Sequence, residues 1–168
     1  MRALFAVMLA LGAAGCGRPF DVKTAPGFVE LDDQPASFAY RSISSEGVVV
    51  AVRVVDDQAG DLAFWTRATS LQMTQSKGYT LAETRDVTSR DGTPGSEIVF
   101  RHDTEDRSYV YRLRLFVAQK RLFVVEVGGE RVEMERHAKG VDWMVASVKV
   151  RCDGPLAPVL ASRTCNRW

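Results

Sequence analysis

Apolar and polar residues alternate along most of this chain, and the period of the alternation changes as the chain proceeds. Phe20-Asp21-Val22 starts a short strand that Ala25-Pro26-Gly27 breaks. Phe38-Ala39-Tyr40-Arg41-Ser42-Ile43 has the two-residue period of a half-buried strand. Gly47 then opens residues 48–55, a β-branched run suited to a buried strand, which Asp56 and Asp57 end. Between 62 and 76 the period becomes helical. Phe64, Ala68 and Leu71 recur at helical spacing, with Trp65, Thr69 and Met73 beside them. Asp61 is placed to cap this helix and Gly78 to end it.

The two-residue period then returns. One strand covers 79–87, and Arg90-Asp91-Gly92-Thr93-Pro94-Gly95 turns it into a second at 96–101. A charged tip at 102–107 leads to the most regular strand, in which Tyr109, Tyr111, Leu113, Leu115 and Val117 face a core while Arg112 and Arg114 face solvent. Lys120-Arg121 turns the chain into 122–127, which Gly128-Gly129 ends. The last element is a helix over 130–148, with an apolar stripe of Met134, Ala138, Val141, Val145 and Val148. Glu130 and Glu133 lie in its first turn, where the helix dipole favours negative charge. The predicted order is three strands, a helix, four strands and a helix. Short turns between consecutive strands predict an α+β domain, an antiparallel sheet of six to seven strands flanked by two main helices.

The N-terminus adds location. Met1-Arg2 followed by an apolar or small run from 3 to 14 is a signal-peptide pattern, shorter than the ~20 residues that a membrane span needs. Ala13-Ala14-Gly15-Cys16 resembles the lipobox of bacterial lipoproteins, with Ala where Leu is usual at its first position. That resemblance implies cleavage before Cys16 and lipid on its sulfur. The alternative is an ordinary signal peptide with Cys16 incidental. Gly17, in place of an Asp, points to the outer membrane in a two-membrane host.

With Cys16 lipidated, Cys152 and Cys165 remain as an even pair in an oxidising compartment. A bridge between them would be worth roughly 3 kcal/mol in the chain-entropy model; the alternative is two free thiols. The expected organisation is a signal peptide at 1–15, a lipidated tether at 16–19, a domain at 20–150 and an extended tail at 151–168, stapled by that bridge.

Charge and candidate chemistry narrow the function. Removing Arg2 from the 22 basic residues leaves 21 against 21 acidic ones. A near-neutral chain lacks the footprint of a nucleic-acid binder. No Gly-x-Ser-x-Gly elbow is present, and His102 and His137, the two histidines, fall on a charged hairpin and off the apolar stripe. The tip His102-Asp103-Thr104-Glu105-Asp106 lacks the spacing of a calcium loop and is expected to be solvated. Gly128-Gly129 before a helix suggests an anion nest, but Glu130 and Glu133 would repel the anion. Arg112 and Arg114, with Arg53 and Arg101, are candidates for a basic stripe, weighed against a solvated, salt-bridged face. No metal or other cofactor is expected.

The element order, the opening Phe20-Asp21-Val22 with Pro26-Gly27-Phe28, and the ending in an amphipathic helix after Leu122-Phe123-Val124-Val125 resemble the PsbP/DcrB-like superfamily, LpqN-like envelope lipoproteins included. The resemblance spans 20–150 and implies a domain that binds partners and turns over no substrate. It has no catalytic motif, so no functional residue transfers with it. The expectation is a lipid-anchored envelope lipoprotein that is not an enzyme and binds or scaffolds a protein at the same membrane. The alternative is a carrier of a lipid or other small apolar ligand.

Overall fold

The computed structural model describes residues 18–33, 35–56 and 58–150. Seven strands form one antiparallel sheet in the order β2-β3-β4-β8-β7-β6-β5: β2 (Phe28–Glu30), β3 (Tyr40–Ser44), β4 (Val49–Val55), β5 (Thr80–Thr88), β6 (Pro94–Asp103), β7 (Ser108–Ala118) and β8 (Arg121–Glu130). A separate two-stranded ribbon joins β1 (Phe20–Asp21) to β9 (Lys149–Val150), so the two ends of the described chain meet. The fold is α+β, as the pattern predicts. The strands Phe28–Glu30 and Lys149–Val150 are additions, too short to show a period.

Both faces of β4 are covered over its first half, which explains why 48–52 is apolar at consecutive positions: Val50, Ala51 and Val52 are each at most 1% exposed. On one face Val50, Val52, Phe123, Val125 and Val127 meet the C-terminal helical segment through Val141, Met144, Val145 and Val148. Burying each such side chain stabilises by about 1.5–3 kcal/mol. On the other face Ile98, Phe100, Leu113, Leu115, Leu122 and Val124 pack beneath α1 (Leu62–Leu71) through Leu62, Trp65 and Met73.

The helices differ in detail from the pattern. Asp61 caps α1 by accepting from the Phe64 N–H at 2.7 Å. The last turn, Gln72–Ser76, widens into a π-helix before Gly78, whose φ of +71° ends it. Thr66, Ser70 and Thr74 each donate to the carbonyl four residues earlier, a pattern that bends helices. The final helix is two helices, α2 (Arg131–Arg136) and α3 (Ala138–Ser147), because His137 leaves helical geometry at φ −93°, ψ 7°. Gly128 and Gly129 do not end β8. They belong to it, and a Cβ on Gly128 would lie 3.0 Å from the Tyr111 ring. The β7–β8 turn is the two-residue Gln119-Lys120, both at positive φ, as in a type I′ hairpin. It carries none of the Asn or Gly that usually marks one.

Candidate functional site

Alternation along β8 puts Glu126 on the α1 side of the sheet, beyond the end of the helix's cover. Its neighbours in register are Leu113 on β7 and Ala51 on β4. Glu126 is 8% exposed, and its carboxylate accepts from the Tyr111 hydroxyl and pairs with Arg53. Burial, then the Glu126 charge and the hydrogen bond to it, push the Tyr111 hydroxyl well above its ordinary range, so it stays a donor. The Phe38 ring covers the cluster, with the Arg53 and Arg41 guanidiniums 5.6 Å and 5.2 Å from its centroid. Phe38, Arg41, Val49, Ala51, Tyr111, Glu126 and Gly128 line an open groove of about 340 Å³. Its floor is apolar, and of the two carboxylate oxygens one accepts from Tyr111 while the other lies in the ion pair with Arg53. The arrangement offers shape and a cationic rim, with no nucleophile beside a base.

The opposite face carries a second buried carboxylate. Glu97 is 0% exposed, with Arg85 and Arg114 opposite it on the flanking strands and Arg112 one diagonal away. It pairs with Arg85 and Arg114, and with Arg112 at 3.2 Å, while Arg112 also reaches Asp142 of α3 at 2.9 Å. Burial pushes the Glu97 carboxyl up, but the hydrogen bond and charge of Arg114, the charge of Arg112 and the hydrogen bond from Arg85 outweigh it and hold the carboxyl below its ordinary range. Burial likewise works against the Arg112 charge, and Asp142 and Glu97 outweigh it in turn.

The arginine face is salt-bridged, as one of the two expectations had it, but it is not solvated. The Arg112 and Arg114 side chains are 17% and 16% exposed, because the C-terminal helix folds over that side of the sheet. The four-arginine stripe does not form either. Arg53 lies on the other face with Glu126, while Arg101, on the Glu97 face, is exposed. Glu97 and Glu126 are the polar residues that sequence reasoning passed over. Glu126 had one signal, a carboxylate inside the apolar run 122–127; Glu97, between Ser96 and Ile98, had none, because alternation alone reads its side of the strand as polar.

The remaining candidates stay apart. His102 lies against Tyr79, the rings tilted at 43° with centroids 5.2 Å apart. His137 lies 2.7 Å from Glu46, and hydrogen bonds from Ser45 and His137 lower the Glu46 carboxyl to about 2. The acidic tip closes on itself through Thr104 and Arg107. No cluster of three or more metal-ligating side chains occurs among the described residues. Cys16, Cys152 and Cys165 lie outside the described residues.

One surface stands out for its apolarity. No α1 side chain is fully buried, and Phe64 and Leu71, seven residues apart, are 56% and 45% exposed. Beside the far end of the helix lies the edge strand β5, with Leu81 44% exposed.

The fold that positions these sites is PsbP-like. It is similar to LpqN of Mycobacterium tuberculosis, described as involved in cell envelope biogenesis, with a TM-score of 0.60 over 77% of this chain and 81% of that one at 8% identity. It is also similar to the cyanobacterial PsbP of Synechocystis, with a TM-score of 0.51 over 83% of this chain and 98% of that one at 13% identity. A Pseudomonas aeruginosa protein of unknown function, described as a putative regulator, matches with a TM-score of 0.51 over 90% and 98% of the two chains at 13% identity. No protein-family model matches the sequence, and no curated protein matches it significantly.

Proposed function

We propose that this chain is a non-catalytic binding module of the bacterial cell envelope, held at a membrane by lipid on Cys16 and engaging a protein partner there. The observation that carries the reading is the outer side of α1. Phe64 and Leu71 contribute little to the domain's own core, yet they stand exposed at helical spacing beside an edge strand. Apolar surface left in water costs about 25 cal/mol per Å², and exposed apolar patches mark interaction sites. The leader and Ala13-Ala14-Gly15-Cys16 support the anchor, and Gly17 supports the outer membrane where there are two. The likeness to LpqN supports the compartment.

The test is a photo-crosslinking residue at position 64 in the native envelope, with one at Glu105 as control. A discrete protein adduct at 64, absent at 105 and lost in Leu71→Ser, is expected. No adduct at 64, or identical adducts at both positions, overturns the reading. Cys16→Ser should release the protein from the membrane fraction or leave it unprocessed.

The groove under Phe38 favours a second reading, a carrier of a small apolar ligand. Its volume of about 340 Å³ falls at the lower end of the usual range for ligand sites, ~300–1,000 Å³. Native mass spectrometry of protein taken from its own membrane distinguishes the two. A retained lipid-sized adduct that Ala51→Trp abolishes supports the carrier.

A further inference from the structure

Lysine is scarce in this chain, and its placement is uneven. Of five lysines, three are Lys23, Lys139 and Lys149, and all three lie on the layer built from α3 and the β1–β9 ribbon. Lys149 sits opposite Asp21 in the ribbon. Lys23 and Lys139 are exposed and form no ion pair among the described residues. Between them stands Trp143, 48% exposed, with the Lys23 ammonium 5.9 Å from its ring centroid. Lys139 is one helical turn before Trp143 on α3 and shares its side of the helix. The Lys23 N–H bonds to the Ser147 hydroxyl at 2.9 Å, which pins this segment along the helix. The acidic residues nearby are largely occupied, Asp142 by Arg112 at 2.9 Å and Glu30 by Arg18 at 2.6 Å.

The chain enters the structure on this same layer. Arg18 is the first described residue, and its guanidinium lies 5.7 Å from the centroid of Tyr40, a ring in the α3-side core. Two residue steps separate Arg18 from Cys16, a span of at most about 8 Å. We propose that the outer surface of α3 and the segment at 18–23, centred on Trp143, Lys23 and Lys139, rests on an anionic bilayer. This inference relies on lipid at Cys16, as read above. An indole is suited to the headgroup region, where its apolar ring and its N–H both find partners. The flanking ammonium groups complement anionic headgroups. Because α1 covers the opposite face of the sheet, this orientation turns Phe64 and Leu71 away from the bilayer. A partner there has to rise from the membrane past the thickness of the sheet.

The experiment uses the full mature chain, purified from membranes, with the mass at Cys16 verified. It is reconstituted into phosphatidylglycerol/phosphatidylcholine vesicles containing brominated phospholipid, and indole emission is read. In a Trp168→Phe background, Trp143→Phe should abolish the bromine-dependent loss of emission, whereas Trp65→Phe should leave it. Lys23→Glu with Lys139→Glu should reduce that loss to the level in vesicles of phosphatidylcholine alone. Circular dichroism confirms that each variant folds. Quenching that Trp143→Phe does not change, on protein whose Cys16 is lipidated, overturns this orientation and leaves the proposed function standing. A crosslinker at 143 that captures protein in the native membrane also overturns it. An unmodified Cys16 overturns both.

Discussion

Glu97→Gln should be among the most damaging conservative substitutions in this domain. The change keeps the side chain's shape and removes its charge at a position that is 0% exposed. Arg114, 16% exposed, would then face no carboxylate among the described residues, and Arg112 would keep only Asp142. Arg85 is half-exposed and contributes little, since exposed pairs are worth ~0–1 kcal/mol. Breaking a buried pair from one side costs about 3–5 kcal/mol, a large part of a domain's ~5–15 kcal/mol. In a domain of this size that lowers Tm by on the order of 10–20 °C. Urea unfolding followed by far-UV circular dichroism should show a lower midpoint with an unchanged slope. The acid limb carries a second signature. Because the folded Glu97 carboxyl lies below its ordinary range, the unfolded chain takes up that proton first as pH falls. The stabilisation is therefore complete above the unfolded pKa and is lost as pH falls through the folded one. Glu97→Gln should flatten that part of the profile. Replacing Glu97, Arg112 and Arg114 together by Leu, Leu and Met should recover most of the loss, because no charge is then stranded. A loss below about 1 kcal/mol for Glu97→Gln would show that water reaches these guanidiniums and that the cluster is an ordinary surface network.

Three further outcomes follow from the packing and the cysteines. Leu113→Asp and Val141→Asp, on opposite faces of the sheet, should each unfold the domain, checked by loss of near-ultraviolet dichroism, because each buries an unpaired charge. Gly95→Ala should cost about 1–3 kcal/mol in urea unfolding, since the new Cβ would lie 2.5 Å from the Phe116 ring and 2.6 Å from the Leu115 carbonyl, which is backbone. Thiol counting on denatured, non-reduced protein from the envelope should find Cys152 and Cys165 both blocked, and two titratable thiols there would contradict the bridge.

The sequence by itself determined where the longer strands and the first helix lie, because that information is local. The two-residue period from Tyr109 to Val117 and the Asp61 cap before Leu62 are properties of neighbouring residues. The short apolar run at 3–14 also belongs to the chain alone. What the sequence left open was which side of a strand is covered. Alternation in β7 sorts Leu113 from Arg112 correctly, but it does not say that a helix thirty residues later folds over the arginine side and buries Glu97 with it. The same holds for the groove: Phe38, Arg53, Tyr111 and Glu126 lie on four separate segments, and only the register of β4, β8 and β7 brings them together. His137 shows the limit at short range, since the apolar stripe continues on either side of it, from Met134 to Val141, while the backbone breaks there. Periodicity reports one face of one element. That Glu126 meets Arg53 from a strand far off in the chain, and that Glu97 and its flanking arginines are buried, is fixed by how the sheet is ordered and what is laid across it.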